Sequence, residues 1–306
     1  MPWMLIWTLL WPSLVSTLLA VVSWLMFRRR SHTILAGRAR VAAIAGIAAI
    51  VAAAYPLLSA VPLWIEVPEG MWSALSGARF TLPLLLGLLT MVLLGALRRR
   101  PTTPSGALLA PRTWRSFLST WWFVALMGVL ALILGLTLAA GVASQPNEAG
   151  EYVLYWVDLG AGAIGTTIYG WHHSLVPAAL CALLSAATWW TLTRIARPPL
   201  ESPHIMDVAA RRLDSANAAR VALGALLLHL EAILRSLANT SRVTGSFSAP
   251  DAMPFSAGTP FSALTGALDV LALLAGILGL ALWVFTALTA LPAPTPSRSS
   301  RASVHS

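Results

Sequence analysis

Three ionisable residues lie within apolar segments of the sequence: Glu231, Arg235 and Asp269. Glu231 and Arg235 are four residues apart, which is the spacing of an ion pair along one face of a helix. A charge at the bilayer centre costs roughly 2.5–3.5 kcal/mol on insertion scales, so pairing is the expected response. We therefore predict that Arg235 is held between Glu231 and Asp269. Two interpretations stay open: the group locks two helices together, or it forms a substrate, ion or gating site.

A polar stripe extends this group along one helical face. Residues that share this face within about a third of a turn are Asn217, Arg220, Gly224, Glu231, Arg235, Asn239 and Arg242. A stripe of this kind faces protein or water and not lipid. The face of the next segment that holds Asp269 carries small residues, which allow two helices to approach closely. We therefore expect the two segments to pack against each other.

Histidines provide two further candidate sites. His229 lies about 200° around its helix from Glu231, so the two side chains cannot share a site on a straight helix. We interpret His229 as a hydrogen-bonded packing residue, because a haem or proton-relay role needs a second group at that depth. His172 and His173 are weak metal candidates, since imidazole suits zinc or copper. Adjacent residues seldom ligate one ion together, and interfacial hydrogen bonding is the other interpretation.

The composition places the chain in the membrane class. Of 306 residues, 58% are hydrophobic and 10% are charged, whereas soluble domains have about 25% charged residues. All 20 basic residues are arginine, which excludes mechanisms that need a lysine, such as a Schiff base or a P-loop. The net charge of +9 favours anionic lipid headgroups as partners, and no nucleic acid is expected. The single Cys181 excludes a disulfide framework.

Seven apolar segments approach the length of about 20 residues that a spanning helix needs. The predicted spans are 5–27, 41–60, 80–97, 117–143, 174–195, 218–238 and 262–291. Arginines fall in alternate gaps between them, with 17 of 20 on one side. By the positive-inside rule that side is cytoplasmic, so the N-terminus is outside and the C-terminus inside. The arginine usage favours a bacterial cytoplasmic membrane.

Three segments outside the spans carry separate predictions. Residues 151–173 are interpreted as an outer cap, interfacial or re-entrant, because an eighth span there would move later arginines outside. The outer loop 239–261 is rich in Ser, Gly and Pro and is expected to be irregular. The tail 292–306 is rich in Pro, Ser and Arg, and we expect it to be a disordered cytoplasmic tail.

The sixth span has a predicted cytoplasmic extension, 203–217, which would begin at Ser202 and Pro203 as N-cap and first helical position. The extension is amphipathic, so it either lies on the membrane or docks a soluble partner such as an ATPase. The candidate docking residues are Asp207, Arg211, Arg212 and Asp214.

The predicted fold is an all-α polytopic bundle of seven spanning helices in one domain, 1–291. Two function classes remain: a transport-related permease or transporter component, and a non-transport assembly or accessory subunit whose membrane charges are structural. No cofactor is predicted, and an enzyme is disfavoured because no nucleophile or base is available beyond Glu231 and Asp269. A cavity that reaches Glu231 would favour transport. We identify no strong glycine or proline break within a span, which weighs slightly against it.

Overall fold

The computed structural model describes residues 2–30, 39–61, 65–66, 68–97, 113, 116–158, 163–197, 204–247 and 255–289. Within these residues the helices are α1 (Pro2–Arg30), α2 (Ala39–Ala60), α3 (Glu69–Ala96), α4 (Thr120–Ala143), α5 (Trp171–Ala196), α6 (His204–Ser241) and α7 (Thr265–Thr289). All seven are long and apolar enough to cross a membrane. The predicted all-α bundle of seven spanning helices is therefore confirmed. The predicted tail 292–306 and the predicted N-cap Ser202 with Pro203 lie outside the described residues.

Helices that follow each other in the bundle alternate in direction. Along the α6–α7 contact, the Ser241 hydroxyl lies 2.7 Å from that of Thr265, and the Thr289 hydroxyl lies 3.3 Å from the Asn217 side-chain oxygen. The contacts of α2 with α3, α4 with α5 and α5 with α6 have the same antiparallel sense. One end of the bundle, the hairpin end, therefore joins the ends of α2, α4 and α6 to the starts of α3, α5 and α7. The opposite end, where α5 ends and α6 begins, includes Arg194, Arg197, Arg211 and Arg212 and is called the arginine end.

Helix α6 is the centre of the bundle. In the most apolar stretch of α6, 67% of the residues are buried, against 11% in that of α1. Helix α6 packs against α3, α4, α5 and α7. With 38 residues it is about 57 Å long, whereas the hydrocarbon core of a bilayer is about 30 Å thick. Helix α6 is therefore longer than the apolar layer is thick, and the cytoplasmic extension 203–217 stays a prediction.

Two glycines set the distance between α6 and α7. A Cβ atom on Gly279 would lie 3.0 Å from the backbone oxygen of Gly224, and one on Gly224 would lie 2.5 Å from the indole Cδ1 of Trp283. The buried Trp283 indole N–H donates to the Val221 carbonyl at 3.0 Å, so one aromatic side chain both fills and cross-links this contact. The expected packing of the sixth and seventh segments is therefore present.

A three-stranded antiparallel sheet includes most of the segment predicted as an outer cap, 151–173. Strands β1 (Gln145–Pro146), β2 (Tyr152–Asp158) and β3 (Ala163–Thr167) pair in chain order. The prediction of an interfacial or re-entrant segment did not anticipate extended strands. Its glycine-rich character does fit close packing, because Gly165 pairs with Trp156 and a Cβ there would meet the indole at 2.2 Å.

A second hairpin occupies the connection between α6 and α7. Strands β4 (Thr244–Phe247) and β5 (Phe255–Gly258) pair antiparallel, so the prediction of an irregular loop over 239–261 is wrong for these residues. The loop composition hid this because Ser, Gly and Pro signal turns more strongly than strands. The Thr240 hydroxyl donates to the Thr167 carbonyl at 2.8 Å, which ties the end of α6 to the first sheet.

Candidate functional site

A cavity of about 350 Å³ lies between α1, α2, α3, α6 and α7. Its size is within the range of about 300–1,000 Å³ that is typical of small-molecule sites. The lining comes from the first half of α1, the last turns of α2 and α6, and the middle of α3 and α7. The cavity therefore lies inside the bundle, with part of its lining close to the hairpin end.

Glu231 and Arg235 line this cavity from α6. The Arg235 Nε–H donates to the Glu231 carboxylate at 2.7 Å, as the spacing of four residues predicts. The carboxylate rests against Gly276 of α7, where a Cβ atom would lie 2.7 Å from the Glu231 Cδ. Glycine at this position therefore leaves the space that the carboxylate occupies. The polar stripe faces the cavity at this depth and not lipid.

Asp269 does not complete the predicted group of three. Its carboxylate accepts a hydrogen bond from Arg242, which lies just beyond the last turn of α6. The prediction that Arg235 is held between Glu231 and Asp269 is therefore corrected to two separate ion pairs. The physical reason is proximity along one helix, because Glu231 one turn away engages Arg235. Arg242, two turns further along the same face, is then free to reach α7.

Arg79 is a cavity residue that sequence reasoning did not identify. The predicted third span began at residue 80, but α3 begins at Glu69, so Arg79 lies within the helix and lines the cavity. Its guanidinium carbon lies 4.5 Å from the centre of the Phe80 ring, and Tyr55 is a neighbour across the α2–α3 contact. Its buried Nε has no hydrogen-bond partner among the described residues. The signal in the sequence was an arginine on the side that holds few others.

Three prolines lie within helices where those helices line the cavity. They are Pro12 in α1, Pro56 in α2 and Pro83 in α3. A proline inside a helix removes the hydrogen bond to the carbonyl four residues earlier. Those carbonyls belong to Thr8, Ala52 and Arg79, and all three residues also line the cavity. Each helix nevertheless continues through its proline, as expected from a sequence without a strong break inside a span.

His229 lies outside this cavity. Its side chain is fully buried, and its Nδ1 lies 2.8 Å from the Phe80 carbonyl of α3. The Nε2 atom has no hydrogen-bond partner among the described residues, and the ring centre lies 6.2 Å from that of Tyr169. Burial raises the pKa of the Tyr169 hydroxyl above its usual value. His229 thus packs α6 against α3, on a different side from Glu231.

The candidate docking residues of the α6 extension divide into buried and exposed members. Arg211 is buried, donates to the Asp207 carboxylate at 2.9 Å and donates to the Ile195 carbonyl at 3.1 Å. It therefore fastens α6 to the end of α5 and is not available to a partner. Arg212 is exposed and Asp214 is half-buried, so only some of the charged residues predicted for docking are accessible to a partner.

His172 and His173 lie at the start of α5. The His172 Nδ1 is 3.7 Å from the Glu151 carboxylate, and the His173 ring centre is 5.5 Å from that of Phe80. No cluster of three or more His, Cys, Asp or Glu side chains that could hold a metal occurs in the described part of the chain. Among the described residues, the two histidines contact Glu151, Phe80 and each other.

The cavity therefore combines one carboxylate, two guanidinium groups and three proline-containing helices with largely apolar walls. Such a site can bind a small molecule that has both a polar group and an apolar part. Comparisons of the chain with protein-family models, with curated proteins and with solved structures find no match.

Proposed function

We propose that this multi-pass helical protein is a transporter or the permease component of one, and that the cavity beside α6 binds the substrate. The observation that carries the proposal is the cavity of about 350 Å³ that reaches the Glu231–Arg235 pair inside the bundle. Intramembrane ionisable groups mark substrate and ion pathways because they are expensive to place in lipid. A tightly packed, purely structural ion pair would not need this space.

The prolines within α1, α2 and α3 support the same function. Discontinuous helices provide unpaired backbone groups in many secondary transporters, where these groups contact the substrate or its coupling ion near the middle of the membrane. Here the prolines of α1, α2 and α3 free three carbonyls among the cavity-lining residues. They also make these helices the ones that can bend, which a transporter requires to change access from one side to the other.

The proposed membrane is the cytoplasmic membrane of a bacterium, with the hairpin end outside. The positive-inside rule supports this orientation, because the arginine end then faces the cytoplasm and its anionic lipids. The cavity would then lie in the outer half of the membrane. An ATPase or a second membrane subunit would meet the protein at the arginine end, through the exposed part of the α6 extension around Arg212.

A second function, that of an assembly or accessory subunit, is favoured by one specific observation. The Arg242–Asp269 pair joins α6 to α7 away from the cavity, as expected of charges whose role is to hold helices together. The two functions differ in what they require of the cavity, because an accessory subunit needs no solute to enter it.

Counterflow separates the two functions. The purified full chain is reconstituted into liposomes, which are incubated with an isotopically labelled metabolite extract, and retained compounds are identified by mass spectrometry. The matched variants are Glu231→Gln, which changes the cavity carboxylate, and Asp269→Asn, which changes a membrane carboxylate outside the cavity. The proposal predicts accumulation by the wild-type protein and by Asp269→Asn, and a loss of accumulation for Glu231→Gln.

Equal accumulation by Glu231→Gln and the wild type would contradict the proposed path. No accumulation by any form, either alone or reconstituted with every subunit that co-purifies after gentle detergent extraction, would identify an accessory subunit instead.

A further inference from the structure

We infer that the cavity binds a small organic monoanion, such as a carboxylate with an apolar body, and that Arg79 is the residue that binds its charged group. This inference deepens the proposed function, since it names the substrate class of the same cavity. It follows from the charge balance of the lining residues, from the environment of Arg79 and from the nature of the remaining walls.

The charges that line the cavity do not cancel. Arg235 is neutralised by Glu231 at 2.7 Å, and the Arg235 side chain is held along α6 by that contact. Arg79 makes no ion pair with a carboxylate among the described residues. The cavity therefore has one positive charge in excess, which suits a ligand with one negative charge.

Arg79 has hydrogen-bonding capacity that no described residue uses. Its Nε is buried and lacks a hydrogen-bond partner in the described part of the chain. The Phe80 ring at 4.5 Å offers a cation–π contact, which stabilises the charge but accepts no N–H hydrogen bond in the guanidinium plane. A guanidinium has five N–H donors in a planar fork, and a carboxylate is the acceptor that matches this geometry.

The remaining walls define the rest of the ligand. Leucine, proline and alanine side chains form most of them, for example Leu82, Leu86 and Leu273. Hydroxyl groups are present, but those of Thr8, Ser16 and Ser59 donate to backbone carbonyls of their own helices. An apolar body therefore fits the walls better than a polyhydroxylated one such as a sugar.

Binding to the full chain in detergent or nanodiscs tests this inference without any transport step. The probes are benzoate, its neutral amide benzamide and the cation benzylamine, which have similar size and different charge. Thermal unfolding and titration calorimetry measure the binding. We expect benzoate to bind and raise the unfolding temperature, and benzamide and benzylamine to bind at least about tenfold more weakly, because charge-assisted hydrogen bonds are lost.

Substitutions of Arg79 then test whether this residue binds the charged group of the ligand. Arg79→Gln should weaken benzoate binding about tenfold or more, and Arg79→Lys, which keeps the charge but not the fork, should weaken it less. Arg197→Gln is the matched control, because Arg197 is exposed at the arginine end, and it should leave binding unchanged. If Arg79→Gln does not fold, Arg79→Lys and the comparison of the three probes on the wild-type protein still decide the question.

Three results would overturn the inference. They are no detectable benzoate binding at millimolar concentration, tighter binding of benzylamine than of benzoate, and equal benzoate binding by the Arg79 variants and the wild-type protein. These outcomes are distinguishable from failure of the proposed function. Glu231-dependent counterflow of a cation or a neutral solute would support the proposed transport and contradict the binding of an anion. Benzoate binding at Arg79 without any counterflow would support the anion site and contradict transport.

Discussion

Replacement of Gly279 by alanine tests the packing that holds the central helix in place. The added Cβ would lie 2.9 Å from the Leu228 Cγ, 3.0 Å from the Gly224 backbone oxygen and 3.1 Å from the Leu228 backbone nitrogen. Two of these three atoms belong to the backbone, so no side-chain rotation can relieve the crowding. Helices α6 and α7 must move apart by a few tenths of an ångström, and their other contacts lengthen with them.

The expected free-energy cost follows from known overpacking effects. Extra methyl groups in a packed interior destabilise proteins by about 1–3 kcal/mol. Alanine also gains up to about 1 kcal/mol over glycine in helix propensity, which offsets part of this cost. Gly135→Ala isolates the packing effect, because Gly135 lies in the middle of α4 and a Cβ there meets nothing within 4 Å. We expect Gly279→Ala to be less stable than Gly135→Ala by about 1–3 kcal/mol.

Equilibrium unfolding in mixed micelles, followed by far-ultraviolet circular dichroism, measures this difference. Both variants should retain the helical signal of the folded protein before the transition. Equal free energies of unfolding for the two variants would refute the reasoning, because they would mean that α6 and α7 do not meet at Gly224 and Gly279.

Three further predictions concern contacts of α6 and α7. Gly276→Ala should displace the Glu231 carboxylate, so that a double-mutant cycle between Glu231 and its arginine partner shows a smaller coupling energy than in the wild type. Trp283→Phe removes the indole N–H bond to α6 and should lower the free energy of unfolding by about 0.5–1.5 kcal/mol, since one buried hydrogen bond is lost while the Val221 carbonyl keeps its intrahelical bond. Arg242 and Asp269 should couple by only about 0.2–1 kcal/mol in the same assay, and less at high salt, because the pair is largely exposed.

The helical fold could be predicted because membrane constraints act on every residue. An apolar segment of about 20 residues has few alternatives to a helix in lipid, since each backbone group must be bonded within the segment. The orientation inferred from the alternating arginine-rich gaps stays a prediction. The two hairpins were missed because short strands outside the apolar layer depend on pairing between segments, as between Trp156 and Gly165.

The candidate site was only partly predictable, for reasons of distance. The Glu231–Arg235 pair is local and follows from helical spacing, so sequence reasoning identified it. Asp269 could be placed on the correct face of α7, but its partner depended on how far each arginine reaches across the contact. Arg79 was missed because the start of α3 was placed too late, and one turn decides whether an arginine flanks a helix or lies within it.

The prolines are a local signal whose role depends on the tertiary structure. Pro12, Pro56 and Pro83 each lie inside a long apolar helix, and a sequence alone does not show whether they face lipid or a common space. In the structure they converge, because three separate helices present their prolines to one cavity. Convergence is a property of the tertiary structure and has no signature in any single segment.

Accessibility of the cavity from water tests the central claim most directly. The only cysteine in the sequence, Cys181, is buried, and its replacement by alanine gives a background for single-cysteine variants. Ser13→Cys lies on the cavity wall, whereas Leu14→Cys lies at nearly the same depth of α1, on an exposed surface outside the cavity. Thiols react with charged reagents as thiolates, which form in water and not in lipid.

A membrane-impermeant thiosulfonate added to intact cells should therefore modify Ser13→Cys from the outside and leave Leu14→Cys unmodified. Modification of Leu14→Cys at an equal or higher rate, or no modification of Ser13→Cys from outside, would contradict a water-filled cavity that opens towards the hairpin end.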